Sequence, residues 1–291
     1  MQRTAALALL AATFVAPATI AFGQRIDGEP PHRKGQNVTP AFEGWFHNPD
    51  GTYSIMAGYW NRNLQQALDI PIGPDNKIEP GGPDMGQPTH FLSGRGWGPF
   101  TITVPKDFGD KELTWTITVN GKTSSIPLNI KDLWEISPYI DALNNTPPWL
   151  AFKSFDDANS GMGQGQKPVV TSMTAKVGVP LPITVYVADD GVYSPGRSEP
   201  KELITLSWSE YRAPEGASVK FSEEKPKVEK MDFKKMPPKA IFAGKATTNA
   251  TFSDPGDYDL YLAVNDASGV GGGGGFQCCW TNGHVKVTVT K

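Results

Sequence analysis

A turn followed by an alternating strand near the C-terminus constrains this chain more than any other stretch. Asp254-Pro255-Gly256 runs directly into Asp257-Tyr258-Asp259-Leu260-Tyr261-Leu262-Ala263-Val264-Asn265-Asp266. A period of two places Tyr258, Leu260, Leu262 and Val264 on one face and Asp259, Tyr261 and Ala263 on the other. The tyrosine stands two residues past a glycine turn, at the head of its strand. That is the local form of a tyrosine corner, whose ring packs inside a sandwich while its hydroxyl bonds backbone a few residues upstream. The stretch speaks to fold class and is silent on chemistry.

The same signature recurs along the chain. Leu113-Thr114-Trp115-Thr116-Ile117-Thr118-Val119 alternates without a break, and Asn120-Gly121 after it is a type I′ hairpin turn leading into a return strand over 123–130. Phe42 to Phe46 and Thr52 to Trp60 flank Asn48-Pro49-Asp50-Gly51 as a second hairpin. With 31 Gly and 26 Pro and few helical periodicities, the chain reads as all-β, built of short antiparallel strands and tight turns. At roughly 100–150 residues per domain, its length predicts two sandwich domains in tandem. The expected layout is a leader over 24–40, a first domain over 41–140, a linker over 141–167 and a second domain over 168–291. The irregular stretch from Asn61 to Gly98 is expected to be ordered by its own side-chain contacts.

Residues 168–291 carry a more specific pattern. A Val185-Tyr186-Val187-Ala188-Asp189-Asp190-Gly191 strand end is followed by Leu206-Ser207-Trp208, then Ala250 to Tyr258, Asn265 to Gly269, and a last strand Val285 to Val289. This order resembles the immunoglobulin-like, PKD-type domains of exported bacterial proteins, with Trp208 matching the core tryptophan and Tyr258 the corner tyrosine. The resemblance implies a sandwich and a role in adhesion or spacing; it specifies no ligand. The inter-sheet cystine of antibody domains is missing, since Leu260 stands where its second half would fall. The N-terminal half resembles no named family.

The first residues read as a secretory signal peptide over 1–23, with Arg3 ahead of an apolar run from Ala5 to Ala16 too short to span a bilayer. Secreted or periplasmic localisation follows, with no membrane anchor expected. Removing 1–23 takes away one arginine and no acid, moving the formal charge from −3 to −4. A nucleic-acid binder that relies on phosphate contacts is excluded by that balance.

Two stretches are candidate sites. Trp60, Asn61 and Arg62, with His90, Arg95 and Trp97, set aromatic rings beside amide and guanidinium groups, a mixture that suits a glycan or protein ligand. The bland alternative has these rings filling the core and these polar groups ordering the loop. The second stretch is Cys278-Cys279-Trp280. Adjacent cysteines in an exported chain are expected to pair with each other, and the loop then either caps the sandwich, the favoured role, or forms a binding surface. Metal capture by Cys278, Cys279 and His284 fits known zinc spacings poorly, and the acids Asp189, Asp190, Asp254, Asp257, Asp259 and Asp266 read as turn residues rather than a calcium site. No catalytic motif is present, so no catalytic residue, metal or cofactor is expected. The chain thus reads as an exported recognition or scaffolding protein. The alternative is an extracytoplasmic hydrolase or redox protein with a site built from loops, and two close carboxylates in a cleft would favour it.

Overall fold

Alternation produces strands wherever it is sustained. The computed structural model describes residues 32–164, 168–193, 200–269 and 276–291. The expected signal peptide and the glycine run 271–275 lie outside the described residues.

In the first half, Val38–His47, Tyr53–Asn61 and Gly94–Val104 form one antiparallel sheet with Tyr53–Asn61 in the middle. A second antiparallel sheet holds Asn76–Glu79, Leu113–Val119 and Lys122–Leu128. Ile55, Ala57, Tyr59 and Ile102 from the first meet Ile78, Trp115, Ile117 and Leu128 from the second in one buried cluster. The hairpin turn at Asn120 and Gly121 has both residues at positive φ, 53° and 73°, as a type I′ turn requires. Thr116 and Thr118 bond Ser125 and Thr123 across that hairpin on its outer face.

The N-terminal strand starts at Val38, ahead of the expected Phe42. Residues 32–37 run beside 62–65, with the Leu64 N–H donating to His32 O and the Arg62 N–H to Asn37 O. Polar composition suggested a loose leader over 24–40; paired backbone and the buried Val38 order its described part.

The second half also stacks two sheets. One joins Trp149–Ala151, Leu181–Asp189, Phe242–Phe252 and Val219–Phe221 with the short Gly161–Met162 at its edge. The other orders Val169–Lys176, Trp280–Thr290, Gly256–Asp266 and Ile204–Arg212, the first pair parallel and the rest antiparallel. Trp149–Ala151 falls within the stretch expected as a linker, yet Leu150 and Ala151 are fully buried.

Trp208 and Tyr258 lie in the core between these sheets, each 2% exposed. Tyr258 Oη donates to Asp254 O at 2.9 Å, the bond that defines a tyrosine corner. Its ring meets Phe252 edge-on at 4.8 Å. All-β sandwich architecture is the fold.

Candidate functional site

The long connection from Asn61 to Gly98 is held by buried amides. Asn61 donates to Gln66 O and Phe91 O, and its Oδ1 accepts from Asn63. Asn76 donates to Ile70 O and Pro88 O while accepting from the Trp115 indole. Such bonds satisfy backbone carbonyls that no strand partner reaches. Asn61 is therefore an organiser of the loop, fully buried, with no group left to face a ligand.

The far end of this connection is fastened to the second half. Arg212 grips Asp84 with two bonds of 2.8 and 2.9 Å and also donates to Gln87 O. Tyr211 Oη donates to Gly86 O, and the Thr89 N–H donates to Tyr211 O. These bonds set the short strand His90–Phe91 beside the end of Ile204–Arg212.

A cleft of about 280 Å³ opens at this junction. The first half contributes Tyr59, His90, Arg95 and Trp97; the second contributes Ser207, Glu210 and Asn265, among others. Three expected residues thus meet in one place: His90, Arg95 and Trp97. Trp60 and Arg62 do not line it. They stack on each other at 4.4 Å, with Trp60 about half exposed.

Arg95 is heavily committed. Its guanidinium lies over Trp97 at 4.2 Å, donates to Tyr59 O and Gly96 O, and pairs with the buried Glu43. A side chain at Gly58 would collide with Glu43, Arg95 and the Gly96 carbonyl, so glycine there permits the pair to cross the strand. Burial raises the Glu43 carboxyl above its ordinary range, against the opposing charge and hydrogen bond of Arg95 and the Gly98 N–H. Tyr59 is likewise pushed up to about 12 by burial, against its bond from the Leu92 N–H and the charge of Arg95.

His90 and Asp69 are directly opposed in the ladder between Leu68–Asp69 and His90–Phe91. His90 Nδ1 lies 2.6 Å from Asp69 Oδ1 and 3.7 Å from Glu210 Oε1. Burial alone would lower the His90 pKa; the bond to Asp69 and the charges of Asp69 and Glu210 outweigh it and leave it raised. Glu210 is raised chiefly by burial, with the His90 charge and the Val219 N–H opposing. Asn265 lines the cleft, and its Oδ1 is buried behind the wall with no hydrogen-bond partner among the described residues.

Tyr211 also borders a smaller cavity of about 210 Å³ with Arg212, Asp259, His284 and Lys286. Asp259 accepts from His284 at 2.9 Å and from Lys286, and these partners hold its carboxyl low against the opposing effect of burial.

Cys278 and Cys279 form a disulfide with each other. Neither sulfur remains as a thiolate, so metal capture with His284 is not available. Both cysteines and Trp280 are buried, and Trp280 packs with Phe46, Met56 and Ile136. Among the described residues these three side chains lie inside rather than on a surface open to a ligand. The acids expected as turn residues bond to backbone and hydroxyl groups: Asp189 and Asp266 accept from Gly191 and Ser268, Asp190 from Thr146, and Asp254 and Asp257 from Ser253 and Thr288.

No protein-family model matches the chain, and no curated protein matches it. Several solved structures show a weak similarity to the chain. Domains 4 and 5 of the S-layer protein SbsC are 12% identical over 62% of this chain and 66% of that one, with a TM-score of 0.24. A longer SbsC structure of domains 4–9 is matched over 31% of its own length. CfaE, the adhesive subunit of the CFA/I fimbria of enterotoxigenic Escherichia coli, is 8% identical over 88% of this chain and 79% of that one, with a TM-score of 0.24. Likeness at this level leaves the reading of the site to its own geometry. Among the described residues no helix is long and apolar enough to cross a membrane.

Proposed function

We propose that this is an exported recognition protein of two β-sandwich domains, the C-terminal one of the immunoglobulin-like, PKD-type, that binds a glycan in the cleft at the junction of its halves. One observation carries the reading: the cleft sets the Trp97 and Tyr59 rings beside Arg95, His90, Glu210 and Asn265. Rings cover the apolar faces of a sugar, and convergent polar groups bond its hydroxyls. A largely preformed wall also keeps the ordering cost of binding low. Screening the protein on a glycan array, then measuring the hits by calorimetry with wild type and Trp97→Ala, tests this directly. Binding lost in the variant supports the reading; a screen without hits, or hits indifferent to Trp97, contradicts it.

A second reading, hydrolysis, is favoured by the close approach of Asp69 and Glu210 to the same imidazole nitrogen beside the cleft. A buried acid with a raised pKa is what a general acid needs. Release of new reducing ends from a bound glycan, abolished in Glu210→Gln, identifies a hydrolase. Binding without turnover leaves recognition.

A further inference from the structure

We infer that Asp69, His90 and Glu210 form a binding site for one divalent transition-metal ion of the zinc class on the wall of the cleft. The inference concerns these three side chains and does not depend on which ligand the cleft takes.

The donor set is one imidazole nitrogen and two carboxylates, and its three ligand atoms all lie within 4.8 Å of one another. Zinc bonds such groups at about 2.0–2.2 Å, which puts tetrahedral ligand atoms about 3.4 Å apart. The His90–Glu210 separation of 3.7 Å is already close to that value. The 2.6 Å between His90 and Asp69 must open by less than about 1 Å. Asp69 is the residue able to move, because its side chain is mostly exposed, at 74%. Calcium would need six to eight oxygens, which this set does not supply.

The framework is rigid where it needs to be. Asp69 and His90 are fixed as cross-strand neighbours. Glu210 stands on the strand Ile204–Arg212 next to Tyr211, whose carbonyl accepts from the Thr89 N–H and so ties this strand to His90–Phe91. Two carboxylates and one imidazole complement a dication: the metal takes the Nδ1 lone pair of His90, and the proton held on that nitrogen in its bond with Asp69 is released to solvent. His90 and Glu210 line the cleft, so the remaining coordination positions open towards it. Three protein ligands with an open position is the pattern of zinc sites that exchange a water or substrate oxygen.

Calorimetric titration of the EDTA-treated full chain with zinc chloride tests the assignment, repeated on His90→Ala and Glu210→Gln. The expected result is one equivalent bound with proton release, and an affinity loss of at least about tenfold in each variant. Absence of saturable binding, or unchanged affinity in both variants, overturns it. Should a variant fail to fold, imidazole NMR resonances of the wild-type protein decide. A zinc-dependent shift confined to His90 supports the site, and a shift at His32, His47 or His284 instead overturns it.

Discussion

Trp280 and Trp97 each follow a run that permits sharp backbone turns, and each stands beside residues of unusual chemistry, yet the fold treats them oppositely. Trp280 opens a strand flanked by neighbours on both edges, and Phe46, Met56 and Ile136 cover its ring. Trp97 sits between Gly96 and Gly98 where Gly94–Val104 loses register with its partner, and its ring remains partly open with Arg95 on one face. A tryptophan stays partly open or becomes a core rivet according to what the rest of the chain brings over it. Local sequence holds no record of that.

The sharpest way to break the comparison is truncation. Trp280→Ala should cost about 3–5 kcal/mol of stability, because the surrounding cluster cannot collapse into the space. Trp208→Ala should cost a similar amount in the second core. Trp97→Ala should cost clearly less than Trp280→Ala, since its ring is only partly buried where it packs against the edge of the same cluster. Equal losses at positions 97 and 280 would erase the distinction.

Charge near the Trp280 end offers a second test. Asp189 is 3% exposed, and its carboxyl is pushed up to about 7 chiefly by burial, with Asp266 and Asp190 adding to it. A folded pKa above the unfolded value of about 3.9 means the contribution is complete below pH 4 and lost as pH rises towards 7. Asp189→Asn should therefore gain stability over wild type between pH 4 and 7, by up to roughly 4 kcal/mol. A difference that stays flat across that window would show the group to be ionised and satisfied.

Smaller effects sharpen the picture further. Tyr258→Phe removes only the bond to Asp254 O and should cost about 0.5–1.5 kcal/mol, read as a lower urea midpoint at unchanged m-value. Alkylation of the unreduced, unfolded protein should label neither Cys278 nor Cys279. Labelling of both would mean a free dithiol.

The all-β fold was legible because it depends on period-two patterns and turn chemistry, which are local. The Asp-Pro-Gly-Asp-Tyr corner and the Asn120-Gly121 hairpin fold as their sequence predicts. Half of the cleft was legible too: His90, Arg95 and Trp97 stand close in sequence and carry the right residue types. Glu210, Ser207 and Asn265 were not, because they arrive from strands more than 100 residues away. Asp69 pairs with His90 across a two-residue ladder that no periodicity announces. The one signal for that junction is the Tyr211-Arg212 pair, a large hydroxylated ring and a cation that both fasten the 84–89 segment. Sequence alone leaves Cys278-Cys279-Trp280 open as a surface, because the cover of Trp280 comes from Phe46 and Met56, also far away in sequence.

Hydroxyl-radical footprinting of the eight tryptophans, read by mass spectrometry, tests the central contrast most directly. Ready oxidation is expected at Trp60 and Trp134, measurable oxidation at Trp97, and protection at Trp45, Trp115, Trp208 and Trp280. Oxidation of Trp280 at the rate of Trp60, or full protection of Trp97, would contradict it.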